Sequence, residues 1–556
     1  MKLKRLLIST LAVAMSVSML VGCGSNSKEE TNAEVVINLG TEPPDLNSIT
    51  STGSIDGNVL RHCMEGLITL DENDEAIPGV AKEVPTVENG GISEDGLTYT
   101  FKLREDSKWS NGETVTAKDF EFAFTALFTR GTAADYADTW APLIVGAEDL
   151  LKATKNITVD KVATEAKDEY EARGWKALDD TTFEVKLNAP CTYFVPLMAF
   201  INFYPVNEEF YLNAGSKYAT EADQLIYNGA FIMTSWQHEN NLVLEKNENY
   251  WDNGSIKLSK ITMEMIVDPN TIINRYNEGT IDMIGLNAAN KETLENAGKG
   301  DLIAQYNDGS NFYLEFNTNV KGLNNAKVRK ALTLALDAET FVKSILKNSS
   351  TVANSFTPAA IQNGEFANKV GDLVHRDQYD TAAIQALLEE GLAEENMKVS
   401  DLDITILMDD GDDVKKQGAF VQEQFKKIGV TLNVEQVTYQ TRLQRMSDKK
   451  FDITFAGWGP DYNDPMTFMD LWLTGAGNNH TSWSNAKYDE LISKARVEGD
   501  AAVRENYLIE AEKILAEEMP VGYVYCRVRD YACSERLTGV RRTAFQDINL
   551  KYAEVK

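Results

Sequence analysis

Polar and apolar positions alternate in several short segments of the chain. Val35, Ile37 and Leu39 alternate within 34–39, a strand that should end at Gly40 and the Glu42-Pro43-Pro44-Asp45 breaker. Residues 98–104 alternate strictly, as do Phe183, Val185 and Leu187, which predicts two more half-buried strands. Between them Thr116 and Asp119 can start a helix, followed by Phe120, Ala123, Phe124 and Leu127 at helical spacing. After residue 400 the rhythm is cleaner. Leu402, Ile404 and Ile406 predict a strand, and Val414, Gly418, Val421, Phe425 and Ile428 predict a helix that Gly429 stops. Val430, Leu432 and Val434 give a strand, 439–446 a helix, and 451–455 a third strand. This β-α-β-α-β order implies an α/β fold, a largely parallel sheet and right-handed crossovers. Ligands of such sheets bind beyond the carboxyl ends of the strands, where this chain reads Gly457-Trp458-Gly459-Pro460-Asp461-Tyr462-Asn463-Asp464-Pro465.

The N-terminus changes the picture of where this happens. Lys2, Lys4 and Arg5 precede an apolar run from Leu6 to Val21, shorter than the roughly 20 residues a bilayer requires, which reads as a secretory signal. Leu20-Val21-Gly22-Cys23 resembles the bacterial lipobox, in which the Cys thiol is lipidated and the preceding bond cleaved. Residues 1–22 are then the signal peptide and 23–33 a lipidated Cys23 with a flexible tether, leaving the body on the extracytoplasmic face of the cell membrane. At 556 residues the chain exceeds one ordinary core. Its formal charge of −31 excludes nucleic acid as a partner and disfavours very acidic ligands. Cys63, Cys191, Cys526 and Cys533 form no C-x-x-C unit; they are expected to be buried and idle, with a Cys526–Cys533 bridge as the lesser option. The four His, at 62, 238, 375 and 480, have no second His or Cys at metal-ligand spacing, so neither a metal nor a cofactor is expected.

Two readings of Asp461 stand side by side. Glycines allow another backbone to come close, Trp458 offers a flat apolar face, and a carboxylate in a partly dry cleft suits a cationic amine such as a peptide N-terminus. Equally, Asp, Asn and Pro at this density can serve chain reversal alone.

A resemblance bears on that choice. The segment from Ala456 through Asp461-Tyr462-Asn463-Asp464-Pro465 to Phe468 resembles the ligand-site segment of the oligopeptide-binding proteins of ABC importers. Arg61-His62-Cys63-Met64-Glu65-Gly66-Leu67-Ile68, the run from Trp109-Ser110-Asn111-Gly112 to Asp119-Phe120, Asn228-Gly229-Ala230-Phe231 with Asn249-Tyr250-Trp251, and Val328-Arg329-Lys330-Ala331-Leu332 are similar to further family motifs, in the same order. The resemblance implies a clamp of two α/β lobes with an inserted domain: lobe I from 34–70, 196–310 and 524–556, domain II from 71–195, and lobe III from 311–523. Two hinge strands would join the lobes. It implies that Asp461 binds the peptide amino terminus, and that backbone of Gly457, Trp458 and Gly459 on one lobe and of Ser54, Ile55, Asp56 and Gly57 on the other pairs with the peptide as an added strand. Trp458, Tyr439 and Tyr525 would line side-chain pockets. The chain departs from the family where Arg or His meets the peptide carboxylate, carrying Thr454, Phe455 and Val414 there; Lys343 and Lys347 are the candidate substitutes.

The resulting expectation is a monomeric, lipid-anchored protein that captures short peptides by hinge closure and delivers them to importer permease subunits. No G-x-S-x-G elbow, H-E-x-x-H helix or phosphate loop supports an enzyme. Relatives that bind nickel chelates, haem, dipeptides or sugars, and a role in sensing signalling peptides, remain as alternatives.

Overall fold

The computed structural model describes residues 33–556, and the signal peptide, Cys23 and most of the tether lie outside the described residues. The alternating segments become strands: Glu34–Asn38, Thr98–Lys102 and Thr182–Lys186, each burying its apolar positions. Ala117–Leu127 is the expected helix, with the Asp119 carboxylate accepting from the Thr116 N–H at 2.7 Å. In the later region Ile404–Asp409, Leu432–Val437 and Ile453–Trp458 are strands separated by the helices Asp412–Lys427 and Tyr439–Ser447, and Gly429 takes φ +82° after the first helix.

These three strands are parallel, with Ile404–Asp409 in the middle. The sheet they enter is not largely parallel. It has eleven strands, and Ile453–Trp458 continues it by antiparallel pairing to the long strand Ile303–Phe316, which pairs antiparallel with Val521–Cys533. Val521–Cys533 then pairs with Met283–Leu286, from which the sheet runs on through Glu34–Asn38, Lys260–Glu264, Asn241–Lys246 and Phe231–Gln237. The period-two pattern reports burial on a sheet face and carries no strand direction, so the antiparallel joins were invisible to it. Between the two long strands the register shifts around Asn307 to Asn311, and this irregular stretch carries Asp308 and Ser310 to the cleft. A separate three-stranded sheet, Thr98–Lys102, Thr182–Lys186 and Trp175–Asp179, packs against the Ala117–Leu127 helix through Phe120, Phe124, Trp175 and Phe183. By contact density 33–556 forms one compact unit.

The family-like motifs turn out to be joints of this frame. Asn228 clamps the backbone of Glu65, donating to its carbonyl at 2.9 Å and accepting from its N–H at 3.0 Å. Tyr250 and Trp251 donate to the Glu65 carboxylate at 2.8 and 2.6 Å, and Lys551 pairs with it. His62, held neutral by burial that pushes its pKa down to about 4, accepts from the Leu550 N–H. Arg329, buried, donates to the carbonyls of Leu323, Glu518 and Met519, closing the end of the helix Ala501–Glu518. Cys526 and Cys533 are free thiols on one strand, seven residues and so roughly 20 Å apart, which rules out the bridge held open above.

Gly229 has no room for a side chain: a Cβ would sit 2.5 Å from the backbone at Cys63 and Met64. Gly229→Ala is expected to lower stability by about 1–3 kcal/mol, measured by denaturant unfolding; an unchanged midpoint would show that this joint yields freely.

Candidate functional site

The turn after Ile453–Trp458 divides its polar residues among different tasks. Asp464 is buried and bidentate with Arg504, both distances 2.8 Å, and its carboxylate also accepts from the Met466 N–H. Asn463 accepts from the Gln362 N–H at 2.7 Å. Those two side chains hold the turn. Asp461 does not: its backbone N–H donates to Thr467 Oγ1, while its carboxylate bonds nothing within the turn. The carboxylate accepts from the Tyr136 hydroxyl at 2.7 Å, 325 residues away in sequence, and meets no cation at ion-pair distance among the described residues. Burial pushes its pKa up to about 6 against the opposing effect of the Tyr136 hydrogen bond. The turn-only reading of the motif therefore fits Asn463 and Asp464 and leaves the Asp461 side chain without a structural task.

Two cavities meet at Asp461, sharing Tyr136, Gly459 and Asp461 in their walls. The second, of about 370 Å³, is lined by Gly457, Trp458 and Gly459, by Tyr439, which is 57% exposed, and by Glu315, Arg442 and His480. Pairing of Ile453–Trp458 with Ile404–Asp409 stops at Thr454, so the edge of the strand beyond it is open toward this cavity. Gly457 is also constrained from the other side of the strand pair. A Cβ there would lie 2.7 Å from the Phe312 ring, so the missing side chain makes room for packing across the strand pair. The first cavity, of about 350 Å³, is walled by Thr52, Gly53 and Ser54, by Arg61, by Arg527 and Arg529, and by the C-terminal segment 543–551.

Other expected residues sit elsewhere. Ser54 to Gly57 are not extended; they open the helix Ser54–Cys63, with the Gly57 N–H donating to the Gly53 carbonyl and Asp56 accepting from Ser51 and Gly53. A helical turn turns its N–H groups along its axis and cannot add as a strand, and Asp56 and Gly57 are buried. Among these four only Ser54 lines the cavity, and the extended backbone is at Gly53. Tyr525 lines neither cavity; it stacks flat on Phe312 at 4.7 Å between the two long strands. Phe455 joins that stack and Thr454 bonds the Leu407 carbonyl, which accounts for the absence of a basic residue there. Lys343 is exposed and paired with Glu339, and neither it nor Lys347 or Val414 reaches a cavity wall.

Sequence reasoning missed Arg442, Glu315 and His480. Arg442 is buried and bonded to Asp409 at 2.7 Å; Glu315, 1% exposed, lies 3.2 Å from His480, and burial raises its pKa while His480 opposes the shift. Arg442 stands one turn beyond Tyr439 on the same helix, a helical spacing that could have flagged it. Glu315 gave no such signal, because a single acid between Leu314 and Phe316 on a strand that already carries Gln305, Asn307, Asp308 and Asn311 does not stand out. No metal-binding cluster of His, Cys, Asp and Glu occurs among the described residues, and no helix there is long and apolar enough to cross a membrane.

Comparison with known proteins places the chain in a family. Residues 75–480 match the model of the bacterial extracellular solute-binding proteins, family 5, middle region. The chain is 33% identical over 530 residues to the oligopeptide-binding protein OppA of Bacillus subtilis, covering 93% of each. It is 30% identical over 568 residues to the dipeptide-binding protein DppE of the same organism, covering 100% of this chain and 99% of DppE. The substrate-binding domain of an oligopeptide ABC transporter from Bacillus anthracis superposes with a TM-score of 0.76 at 33% identity, over 95% of this chain and 99% of that one. With the motif joints, the two long strands and the paired cavities in place, this chain belongs to family 5 of the bacterial extracellular solute-binding proteins.

Proposed function

We propose that the protein captures short peptides outside the cell and delivers them to the permease of an ABC importer, without catalysing a reaction on them. Asp461 carries the reading: a half-buried carboxylate with no cationic partner, at the end of an open strand edge, suits a protonated main-chain terminus. The peptide backbone would run along the free edge at Gly457 to Gly459, with Thr52 and Gly53 facing it from the other side. Strand addition of this kind reads direction and the terminus while leaving side chains to the cavities. That oligopeptide- and dipeptide-binding relatives match this chain along nearly their whole length supports the same ligand class. In this reading 34–70, 196–310 and 524–556 form one lobe, 71–195 the inserted domain and 311–523 the other lobe, with the two long strands as hinge. The monomer is tethered to the membrane through lipid on Cys23.

Replacing Asp461 by Ala is expected to weaken peptides with free N-termini by about 2–5 kcal/mol, while N-acetylated versions of the same peptides change little. Titration calorimetry reads both; equal losses would remove Asp461 from this role.

The raised pKa gives a second test. The amine needs the ionised carboxylate, so binding pulls the proton off Asp461 and becomes harder as pH falls through about 6. Affinity for a free-amine peptide should stay level above neutrality and drop about tenfold per pH unit below that value. Tyr136→Phe removes the hydrogen bond that favours the ionised form, so the turning point should move up. A flat profile, or one unmoved by that substitution, contradicts the assignment.

A further inference from the structure

The charges around the first cavity do not cancel locally. Lys551 is matched by Glu65, which also takes the Tyr250 and Trp251 donors. Asp547 is matched by Arg542 at 2.8 Å. Arg527 and Arg529 both reach the same oxygen of Asp308, at 2.5 and 2.7 Å, so two guanidinium groups share one carboxylate. Arg61 makes no hydrogen bond or ion pair among the described residues, although it lines the cavity and folds back over Gly57, where a Cβ would lie 2.8 Å from its Nη1. Arg61 thus has no carboxylate at ion-pair distance, feeling the more distant charge of Asp74, and Arg527 and Arg529 share one carboxylate, while Asp461 at the mouth lacks a cation.

Guanidinium groups with free donors in a recess are a fixed, planar receptor for carboxylate. In a chain whose formal charge is −31 this lining is balanced, with Arg61, Arg527, Arg529 and Lys551 against Glu65, Asp308, Asp461 and Asp547, and what sets it apart is that Arg61 has no ion-pair partner among the described residues. The open strand edge faces the second cavity, so a peptide main chain paired with that edge leaves Asp461 in the direction away from the first cavity. What enters the first cavity is then a side chain from the amine end of the peptide.

We propose that the first cavity is an acidic-side-chain subsite: Arg61, aided by Arg527 and Arg529, binds the carboxylate of a Glu or Asp within the first two residues of the peptide. This rests on the peptide reading and on Asp461 as the amine site, and it reverses the expectation, drawn from net charge, that acidic ligands are disfavoured. The subsite selects among peptides; it adds a second anchor, at a fixed distance from the amine, that a neutral side chain cannot use.

The test is a glutamate scan of tetra-alanine, with the matching glutamine peptides and with C-terminally amidated copies, measured by titration calorimetry on the whole mature chain. Glutamate at position one or two should bind about tenfold tighter than glutamine at the same position, and amidation should leave that ratio intact. Arg61→Gln should bring the ratio to about twofold or less, and Arg529→Gln should lower it part of the way, giving a reading even if the Arg61 variant folds poorly. Lys343→Gln, exposed and outside both cavities, should keep it. A glutamate-to-glutamine ratio near one at both positions overturns the proposal, as does a preference abolished by amidation, which would mean that the guanidinium groups read the C-terminal carboxylate. If no peptide of the set binds at all, the peptide reading falls and this subsite with it.

Discussion

A carboxylate withdrawn from water without a cation to meet it is costly, and Asp461 is such a group. One phenol is its single side-chain partner, and the pKa pushed up to about 6 expresses how incompletely that phenol replaces water. Much of the surrounding structure can be understood as keeping that carboxylate in place. Asp464 and Arg504 lock the turn from below, Asn463 ties it to Gln362, and Tyr136 reaches it from 325 residues away in sequence. An incoming ammonium would relieve the cost, so ligand binding and the joining of the surrounding segments become one event. On the proposed reading, the ligand's differential affinity for the joined arrangement would be what drives closure.

The second constraint is the pair of long strands. Ile303–Phe316 and Val521–Cys533 pass through the middle of a single sheet, so both halves of the protein hang from the same antiparallel ladder. The shift of register near Asn307 to Asn311 interrupts that ladder beside the cavities, where Asp308 gathers Arg527 and Arg529. A second shift follows at Phe312 and Tyr313, and a ladder broken over this short stretch bends there more readily than elsewhere, which suits the proposed hinge. The stacked rings of Phe312, Tyr525 and Phe455 stiffen one side of the break.

Much of this could be read from the residues in order. The β-α-β-α-β run after residue 400 was visible because helix and strand periods differ, and Gly429 marked its own turn. Direction and order in the sheet were not, since alternation is the same in parallel and antiparallel strands. The placement of Asp461 could be inferred from the motif, but its separation from the tasks of Asn463 and Asp464 needed coordinates. Ser54 to Gly57 misled because a peptide-contacting loop and the first turn of a helix share small, polar residues; here Gly53 is the extended one. Arg61, Glu315 and His480 acquire meaning only from partners hundreds of residues away or from having none, and a linear pattern cannot express that.

What the Asp461 carboxylate touches when the protein is loaded decides whether it is the amine site. A crystal structure of the complex with a lysine-free, unblocked tetrapeptide would answer it directly. The expected result is the peptide's amino nitrogen within about 3 Å of an Asp461 carboxylate oxygen, with the first backbone groups bonded along Gly457 to Gly459. A peptide bound in the opposite direction, or one whose amine faces solvent while Asp461 keeps only Tyr136, would contradict it.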